Sequence, residues 1–370
     1  MKIRLLKSLD RLFGTVLIHL IRKPEVKPLP QPKSILFIRP GGIGDAVHLL
    51  PAIAALKEKY PDGSITILAE KRNSAIFSLC RAVDRTFCYD SLRELAGALR
   101  STYDIVIDTE QWHRLSAIIA RMTRAPVLIG YATNQRKRMF THTVSYSHET
   151  YEKSSFFSLL EPLGITDSLG SSGPFLTVPE RAVDAAVDKI AAYSDRPFVT
   201  LFPGASIPER RWGTENFREL AMRLHSGGVA VVVVGGRGDA EAGEKITAGG
   251  IGLNLAGCTS LAETAAVLSK SRVLVSGDSG VLHIAEALDV PTVSLFGPGI
   301  ENKWAPRGVH HIVLNRHLDC SPCTKFGYTP RCKNGARCLS DIGIDEVANA
   351  VLDLLKSVPW EKNRRSEQIP

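Results

Sequence analysis

The sequence predicts an α/β protein made of two doubly wound, Rossmann-like domains in tandem. Strand-like and helix-like segments alternate along the chain, and the alternation occurs twice, on either side of a stretch rich in Gly, Ser and Pro. Several strand-like segments are continuous apolar runs such as "VAVVVV", a pattern typical of parallel strands covered by helices on both faces. With 370 residues the chain exceeds what one hydrophobic core usually holds.

The first run of alternating segments predicts a domain over residues 34–175. Its strand candidates are "SILFIR", "SITILA", "YDIVIDT" and "APVLIGY", and its helical patterns include "LLPAIAALKEKY" and "HRLSAIIARMT". The pattern fades in "GITDSLGSSGPFLTVP", which we interpret as the domain boundary, and the helix "ERAVDAAVDKIAAY" bridges it.

The second run predicts a domain over residues 176–345, followed by a C-terminal helix and tail over residues 346–370. Strands are expected at "PFVTLFPG", "VAVVVVGG", "RVLVSGDSG" and "PTVSLFG", with helices at "TENFRELAMRLHSGG", "LAETAAVLSKS" and "VLHIAEALDV". Because ligands of such sheets bind beyond the carboxyl ends of the strands, we expect the active site in a cleft between the two domains.

Residues 1–33 form a basic segment of their own, with eight Lys or Arg against two Asp or Glu and hence a charge of +6. One helical face carries polar residues, namely Arg4, Lys7, Ser8, Arg11, Thr15, His19 and Arg22. The other face carries apolar residues, namely Leu5, Leu6, Leu9, Phe13, Val16, Leu17, Leu20 and Ile21. This pattern favours an amphipathic helix on an anionic membrane surface. A helix docked on the protein's own core is the alternative, and the Pro/Lys-rich "KPEVKPLPQPK" predicts an extended linker.

The composition excludes several protein classes. With 44% hydrophobic and 23% charged residues the chain is an ordinary globular protein rather than a disordered or collagen-like one. The net charge of +8 suits an anionic partner such as a phosphorylated substrate, a lipid headgroup or nucleic acid, and a solvated basic surface is the simpler alternative. Seven unevenly spaced cysteines do not resemble a secreted disulfide scaffold and favour a reducing compartment.

The turn "GGIGDAV" follows the first strand and resembles a dinucleotide-binding loop, but Val47 stands where that loop needs a third small residue. A carboxylate beside a pyrophosphate is also unfavourable. The glycines Gly41, Gly42 and Gly44 allow the backbone to approach a ligand closely, and Asp45 is suited to act as a general base. The alternative is that Asp45 caps the helix, since Asp is a favoured N-cap residue.

Two later strand ends predict an anion site. In "LFPGASIPERRW", Ser206, Arg210 and Arg211 follow a small-residue loop and suit a diphosphate, with a solvated arginine pair and Trp212 in the core as the alternative. In "GDSGVLHIAEAL", the sequence Asp278-Ser279-Gly280 begins a helix whose free amide groups attract anions. His283 lies about one turn further on. Here the alternatives are that Asp278 is the N-cap and that His283 is a packed helix residue.

Together these motifs resemble the bacterial heptosyltransferases of glycosyltransferase family nine, over roughly Ser34 to Val351. "GGIGDAVHLLPAI" is similar to the family's "GDxxxxLPA" signature, and "GDSGVLHIAEAL" is similar to its "DTGxxHLAAAL" signature. Members transfer heptose from ADP-heptose to the inner core of lipopolysaccharide. The resemblance implies a GT-B fold, in which two Rossmann-like domains face each other across a cleft. It implies no metal or other cofactor for catalysis.

The resemblance also implies roles for individual residues. Asp45 matches the catalytic base, and the donor-binding positions are matched by Ser206, Arg210, Asp278, Ser279, Gly280 and His283. The family often has lysine where Arg210 stands, and some members have threonine where Ala205 stands. Glu241 matches, in a looser alignment, the acid that binds the donor's ribose.

The acceptor side departs from the family pattern. The strand "YDIVIDT" ends at Glu110-Gln111-Trp112, where many members carry a Gln-Gly pair. The candidate acceptor-binding residues are Glu110, Trp112, Arg114, Arg136 and Arg138. The cationic ones suit an anionic, lipid-linked saccharide, and solvated loop charge is the alternative. We expect a peripheral enzyme at the cytoplasmic face of the inner membrane that binds no nucleic acid.

The last motif is a cluster of four cysteines with the spacing C-x2-C-x8-C-x5-C, formed by Cys320, Cys323, Cys332 and Cys338. Four thiolates at this density suit a structural zinc ion, and two disulfides or free thiols are the alternatives. Two other functions are compatible with the whole sequence. One is a sugar-nucleotide epimerase with the same fold, and the other is a non-catalytic sugar-nucleotide-binding protein of envelope assembly.

Overall fold

The computed structural model describes residues 10, 14–26, 28, 31–166, 175–193, 196–325 and 328–358. Most of the predicted N-terminal helix and the tail beyond residue 358 lie outside the described residues. The chain divides into two compact units, Met1–Ser172 and Gly173–Pro370. No helix in the described ranges is both long and apolar enough to cross a lipid bilayer.

The N-terminal unit is built on one parallel sheet of six strands in the order β3-β2-β1-β4-β5-β6. The strands are β1 Ser34–Arg39, β2 Ser64–Ala69, β3 Arg85–Cys88, β4 Ile105–Asp108, β5 Val127–Tyr131 and β6 His142–Val144. The helices are α1 Thr15–Leu20, α2 Ile43–Lys59, α3 Ser74–Phe77, α4 Leu92–Arg100, α5 Arg114–Met122 and α6 Glu152–Ser158. Short 3₁₀ turns span Gln135–Met139 and Glu161–Leu163.

The C-terminal unit has a second parallel sheet of six strands, in the order β12-β11-β10-β7-β8-β9. The strands are β7 Phe198–Phe202, β8 Ala230–Val233, β9 Leu253–Asn254, β10 Val273–Gly277, β11 Thr292–Phe296 and β12 His311–Asn315. The helices are α7 Glu180–Lys189, α8 Thr214–Ser226, α9 Ala240–Thr247, α10 Leu261–Lys270, α11 Gly280–Ala287, α12 Glu301–Trp304, α13 Arg337–Ser340 and α14 Ile344–Ser357. Short 3₁₀ turns span Ala191–Tyr193, Pro208–Arg210 and Arg237–Asp239.

Both sheets have the same topology, and the prediction of two doubly wound α/β domains is confirmed. In each sheet the strand order reverses between the first and the fourth strand of the unit, which are β1 and β4 in one and β7 and β10 in the other. In a doubly wound sheet, the crevice beyond the carboxyl ends at this reversal is where ligands bind. The central strands are buried along their lengths, as their continuous apolar runs predicted.

The described part of the N-terminal helix is docked on the N-terminal unit. Ile18 is fully buried and belongs to the same hydrophobic cluster as Leu36 and Met139. This part of the helix is therefore packed on the protein's own core, which was the alternative prediction. Ile18, the residue that packs there, was assigned to neither face of the predicted helix. Val16, Leu17 and Leu20, which were assigned to the apolar face, remain 58%, 39% and 76% exposed.

A second contact ties the same segment to helix α5. The buried Asp10 carboxylate accepts hydrogen bonds from the amides of Arg114 and Leu115, both at 2.7 Å, and so caps the start of the helix. His113 Nδ1 lies 3.5 Å from the other carboxylate oxygen. Burial raises the pKa of Asp10, but the hydrogen bonds from His113 and the two amides outweigh it and lower the pKa below 3.8.

Arg136, a candidate acceptor-binding residue, is a core residue. Its Nη2 donates to Asp108 Oδ2 at 2.6 Å, and both side chains are fully buried. Its Nε donates to the carbonyl of His113, and its guanidinium lies 5.1 Å from the ring centroid of Phe140. Burial raises the pKa of Asp108, and Arg136 opposes that rise. Arg136 is therefore neither a surface residue that binds the acceptor nor a solvated loop residue. The prediction that it binds the acceptor is wrong.

We predict that Arg136→Met lowers the free energy of unfolding by about 3–5 kcal/mol, because the Asp108 carboxylate is left buried without its partner. Chemical denaturation of the purified variant measures the change. Lys137→Met, at the exposed neighbouring position, is the matched control and should stay within about 0.5 kcal/mol of wild type. Wild-type stability in Arg136→Met would contradict this account.

Candidate active site

Each unit places a pair of oppositely charged side chains at the point where its strand order reverses. In the N-terminal unit the pair is Arg39, the last residue of β1, with Asp45 in the first turn of α2. In the C-terminal unit the pair is Arg210, beyond β7, with Asp278, which directly follows β10. We call the Arg39–Asp45 pair with its surroundings the N-terminal half-site, and the Arg210–Asp278 pair with its surroundings the C-terminal half-site.

The glycine-rich turn brings the backbone close to the N-terminal pair. Gly41 has a φ of +115°, and a Cβ at this position would lie 2.7 Å from Arg39 Nη2, so a larger residue would displace the guanidinium. Gly42 is the N-cap residue of α2, and no side chain caps the helix. Asp45 lies three residues further on, where the helix dipole favours a negative charge. The alternative that Asp45 is the N-cap is therefore wrong.

Arg39 holds one oxygen of Asp45. Arg39 Nη2 lies 3.1 Å from Asp45 Oδ2, while Nη1 donates to the carbonyl of Thr109 at 3.0 Å. Phe156 stacks beneath the guanidinium, with its ring centroid 5.2 Å away. Arg39 is buried, whereas the side chain of Asp45 is 29% exposed. Asp45 Oδ1 accepts no hydrogen bond within the described part of the chain. The geometry thus fixes the carboxylate and leaves one oxygen for a ligand.

Further carboxylates surround Arg39. Burial alone lowers the pKa of Arg39, but Asp45, Glu110 and Glu152 outweigh burial and raise it. The buried Glu152 carboxylate accepts from Gln111 Nε2 at 2.6 Å and from the Tyr146 hydroxyl at 3.4 Å. Burial and the charge of Glu152 raise the pKa of Tyr146, which keeps its hydroxyl a neutral donor. A buried polar network therefore surrounds the guanidinium.

The other candidate acceptor residues have different environments. Glu110 is buried, and its Oε1 accepts from the amides of Trp112 and His113 at 2.9 and 3.2 Å, so it shapes the loop after β4. The Trp112 side chain is 42% exposed. Arg114 donates through Nη2 to Gln135 Oε1 at 2.8 Å. Arg138 is half-buried, and its Nε has no hydrogen-bond partner among the described residues.

In the C-terminal unit, Arg210 Nη1 lies 2.7 Å from Asp278 Oδ2. The contact is an ion pair rather than an aligned hydrogen bond. Arg210 Nη2 donates to Thr324 Oγ1 at 3.3 Å, and Nε has no partner within the described ranges. A Cβ at Gly299 would lie 2.3 Å from Asp278 Oδ2, so the turn after β11 approaches the pair closely.

Helix α11 begins beside this pair. Ser279 is its N-cap, and its hydroxyl accepts from the amide of Leu282 at 3.3 Å. The alternative that Asp278 is the N-cap is therefore wrong. Gly280 is the first helical residue, so the start of α11 combines free amides with a helix dipole, as an anion site requires. His283 is buried, with Nδ1 3.5 Å from Glu286 Oε2, and so is a packed helix residue.

Arg211 shapes the loop after β7. Arg211 donates through Nε and Nη2 to the carbonyl of Ala205, at 3.2 and 2.9 Å, and leaves Ser206 exposed. Trp212 is buried in the core, and its Nε1 donates to the carbonyl of Ile342. The core assignment of Trp212 is therefore correct.

Glu241, the candidate ribose-binding acid, is on the exposed face of α9 and pairs with Lys245 at 2.8 Å. Asp239 lies nearer to the carboxyl ends of the strands. A Cβ at Gly204, in the loop after β7, would come within 2.5 Å of Asp239 Oδ1, and the amide of Gly236 donates to Asp239 Oδ2. Asp239 thus joins the loops after β7 and β8, a position that sequence reasoning missed.

Sequence reasoning also missed Arg39, Tyr146, Glu152 and Thr324. A charged residue at the end of the apolar strand "SILFIR" was an available signal for Arg39. The other three come from distant loops and helices, and nothing in their local sequence places them beside these pairs.

Several proteins are similar to this chain. It is 26% identical over 309 residues to lipooligosaccharide heptosyltransferase 2 of Haemophilus ducreyi, covering 76% of this chain and 88% of that protein. A shorter alignment with lipopolysaccharide heptosyltransferase 2 of Salmonella typhimurium is 36% identical over 132 residues, covering 34% of this chain and 38% of the relative.

Solved structures share the fold. A glycosyl transferase family 9 protein from Veillonella parvula matches with a TM-score of 0.75 and 22% identity, covering 90% of this chain and all of that one. Escherichia coli ADP-heptose lps heptosyltransferase II matches with a TM-score of 0.71 and 23% identity, covering 88% and 99%. Residues 92–332, more than half of the chain, match the family described as glycosyltransferase family 9 (heptosyltransferase). The chain therefore belongs to glycosyltransferase family 9, the heptosyltransferase family.

Proposed function

We propose that this protein transfers heptose, with inversion, from ADP-heptose to a lipopolysaccharide core or a similar lipid-linked saccharide. The single observation that carries the proposal is the geometry of Asp45, whose Oδ2 is held by the buried Arg39 and whose Oδ1 is left for a ligand. Family membership supports the reaction class, and the names of relatives support heptose as the sugar and lipopolysaccharide as the acceptor.

The C-terminal half-site is suited to the donor's diphosphate. Arg210 supplies a guanidinium, and the first turn of α11 supplies backbone amides beside Ser279 and Gly280. These positive groups stabilise the charge that develops on the departing ADP. Because the protein's own groups neutralise that charge, we propose that transfer requires no metal ion. Ser206, Glu241 and His283 remain proposed donor contacts that require movement or a bound substrate to form.

The N-terminal half-site is suited to the acceptor. The acceptor hydroxyl donates its hydrogen bond to Asp45 Oδ1, and the carboxylate takes the proton as the hydroxyl oxygen attacks the anomeric carbon. Attack on the face opposite the departing ADP inverts that carbon. The ring of Trp112 supplies an exposed surface on which a sugar can stack. Glu110, Arg114 and Arg138 frame the loops around this surface. The buried Nε of Arg138 has no hydrogen-bond partner among the residues that the structure describes.

We predict that Asp45→Asn lowers kcat for heptose transfer by at least about 100-fold, because the amide cannot accept the proton. The affinity for ADP, measured by calorimetry, should stay within about twofold of wild type, since uncharged Asn is nearly the same size as Asp. Transfer to lipopolysaccharide that lacks heptose measures the rate. Asp62→Asn, at an exposed position, is the matched control.

Wild-type transfer by Asp45→Asn would refute the base assignment. Consumption of ADP-heptose by the wild-type protein without any acceptor would instead favour an epimerase. Tight ADP binding without turnover on any acceptor would favour a non-catalytic binding protein.

We also propose that the N-terminal segment contacts the cytoplasmic face of the inner membrane. The exposed side chains of Val16, Leu17 and Leu20 form an apolar patch on the docked helix α1, while Ile18 keeps the helix on the protein. The surrounding segment carries most of the protein's excess positive charge, as residues 1–33 account for +6 of +8. An apolar patch within a basic segment suits an anionic lipid surface.

We predict that the triple variant Val16→Ser/Leu17→Ser/Leu20→Ser binds vesicles containing phosphatidylglycerol at least about tenfold more weakly at physiological salt, because the apolar insertion is lost. Vesicle co-sedimentation measures the binding. The control Leu92→Ser/Val309→Ser changes exposed apolar residues elsewhere and should leave vesicle binding unchanged. Equal binding by the triple variant and wild type would contradict the membrane proposal.

A further inference from the structure

The four-cysteine loop converges on one turn of the C-terminal unit. A Cβ at Gly297 would lie 2.8 Å from Cys338 Sγ, so that sulfur is packed against the turn after β11. The amide of Cys323 donates to the carbonyl of Pro298 at 3.2 Å, in the same turn. Two cysteines that are 15 residues apart in the sequence therefore meet at adjacent residues of the fold.

The other two thiols lie close to this pair. Cys320 lies three residues before Cys323, and Cys332 lies six residues before Cys338. Cys332 Sγ accepts hydrogen bonds from the amides of Asn334 and Ala336, at 3.4 and 3.3 Å. Backbone donors of this kind fix the orientation of a cysteine side chain that is to bind a metal ion.

All four thiols are free, which argues against the two disulfides that the sequence left open. Within the described ranges, no three of the sulfur atoms lie within 4.8 Å of one another. A tetrahedral tetrathiolate site with metal–sulfur bonds of about 2.3 Å needs closer sulfurs. Cys320 is exposed, and the site proposed below requires the cysteine side chains to rotate towards one another when an ion binds.

The same loop supports the donor half-site. Thr324, which follows Cys323, is buried, and its amide donates to Pro298 while its hydroxyl accepts from Arg210 Nη2. Besides the Asp278 ion pair, this is the only hydrogen bond that the Arg210 guanidinium makes within the described residues. A rigid loop at Thr324 therefore fixes the direction of Arg210.

We propose that Cys320, Cys323, Cys332 and Cys338 bind one Zn²⁺ ion, and that the loop closed by this ion positions Arg210 through Thr324. Binding replaces four S–H bonds with four metal–sulfur bonds and releases four protons to the solvent. The effect on ADP affinity rests on the proposed donor role of Arg210, whereas the metal site does not. Thr324 is a positioning residue, since it acts on the ligand only through Arg210.

The metal site is tested by elemental analysis of the full-length protein purified under reducing conditions. We expect about one Zn²⁺ per chain and its loss in Cys320→Ser/Cys323→Ser. Cys258→Ser, an exposed cysteine of the same unit, is the matched control and should keep the ion. Equal zinc content in the double variant and wild type, or disulfides in place of thiols on mass spectrometry, would overturn the metal assignment.

The positioning step is tested by hydrogen exchange and by ADP titration. Removal of zinc with a chelator should speed amide exchange over residues 203–212, and Thr324→Val should do the same with its zinc content unchanged. Both should weaken ADP binding about tenfold, because a hydrogen bond to a charged group is lost, and Thr324→Ser should restore it. Unchanged exchange in zinc-free protein and in Thr324→Val would overturn the positioning role. If the wild-type protein binds no ADP, the proposed donor role of Arg210 fails. The amide exchange rates then still test whether the loop at Thr324 positions Arg210.

Discussion

The ion pair between buried Arg39 and partly exposed Asp45 is the interaction on which the proposed chemistry depends. A carboxylate that is to accept a proton from a sugar hydroxyl must be held in one orientation and must keep one oxygen available. Arg39 meets both needs, because it binds Oδ2 while Thr109 and Phe156 fix the guanidinium itself. The pair also explains Gly41, since any side chain at that position would displace Arg39.

The C-terminal unit has a similar ion pair, in which the arginine and not the aspartate is proposed to contact the ligand. Asp278 orients that arginine from the end of the neighbouring strand. Both pairs lie where the strand order of a doubly wound sheet reverses, so the topology itself brings the two charged residues together. One sheet architecture thus supplies the proposed proton acceptor in one unit and the proposed anion site in the other.

The sequence predicted the fold because its strands are continuous apolar runs and its helices are amphipathic. It also placed Asp45, Arg210 and Asp278 beyond the carboxyl ends of their strands, where the structure has them. It did not predict their partners. Thr324 is 114 residues from Arg210 in the sequence, and the contact of Arg39 with Asp45 depends on the shape of the turn between them. Arg136 was misassigned for a related reason: a basic tripeptide predicts exposure, whereas its buried partner Asp108 is 28 residues away in the sequence.

The most direct test of the central claim is the single-turnover rate of heptose transfer by Arg39→Gln and Arg39→Lys, measured with saturating donor and acceptor. If Arg39 orients the base, Arg39→Gln should slow transfer by about 100-fold while leaving ADP affinity intact, and Arg39→Lys should recover part of the rate. A folded Arg39→Gln protein that transfers heptose at the wild-type rate would contradict the account.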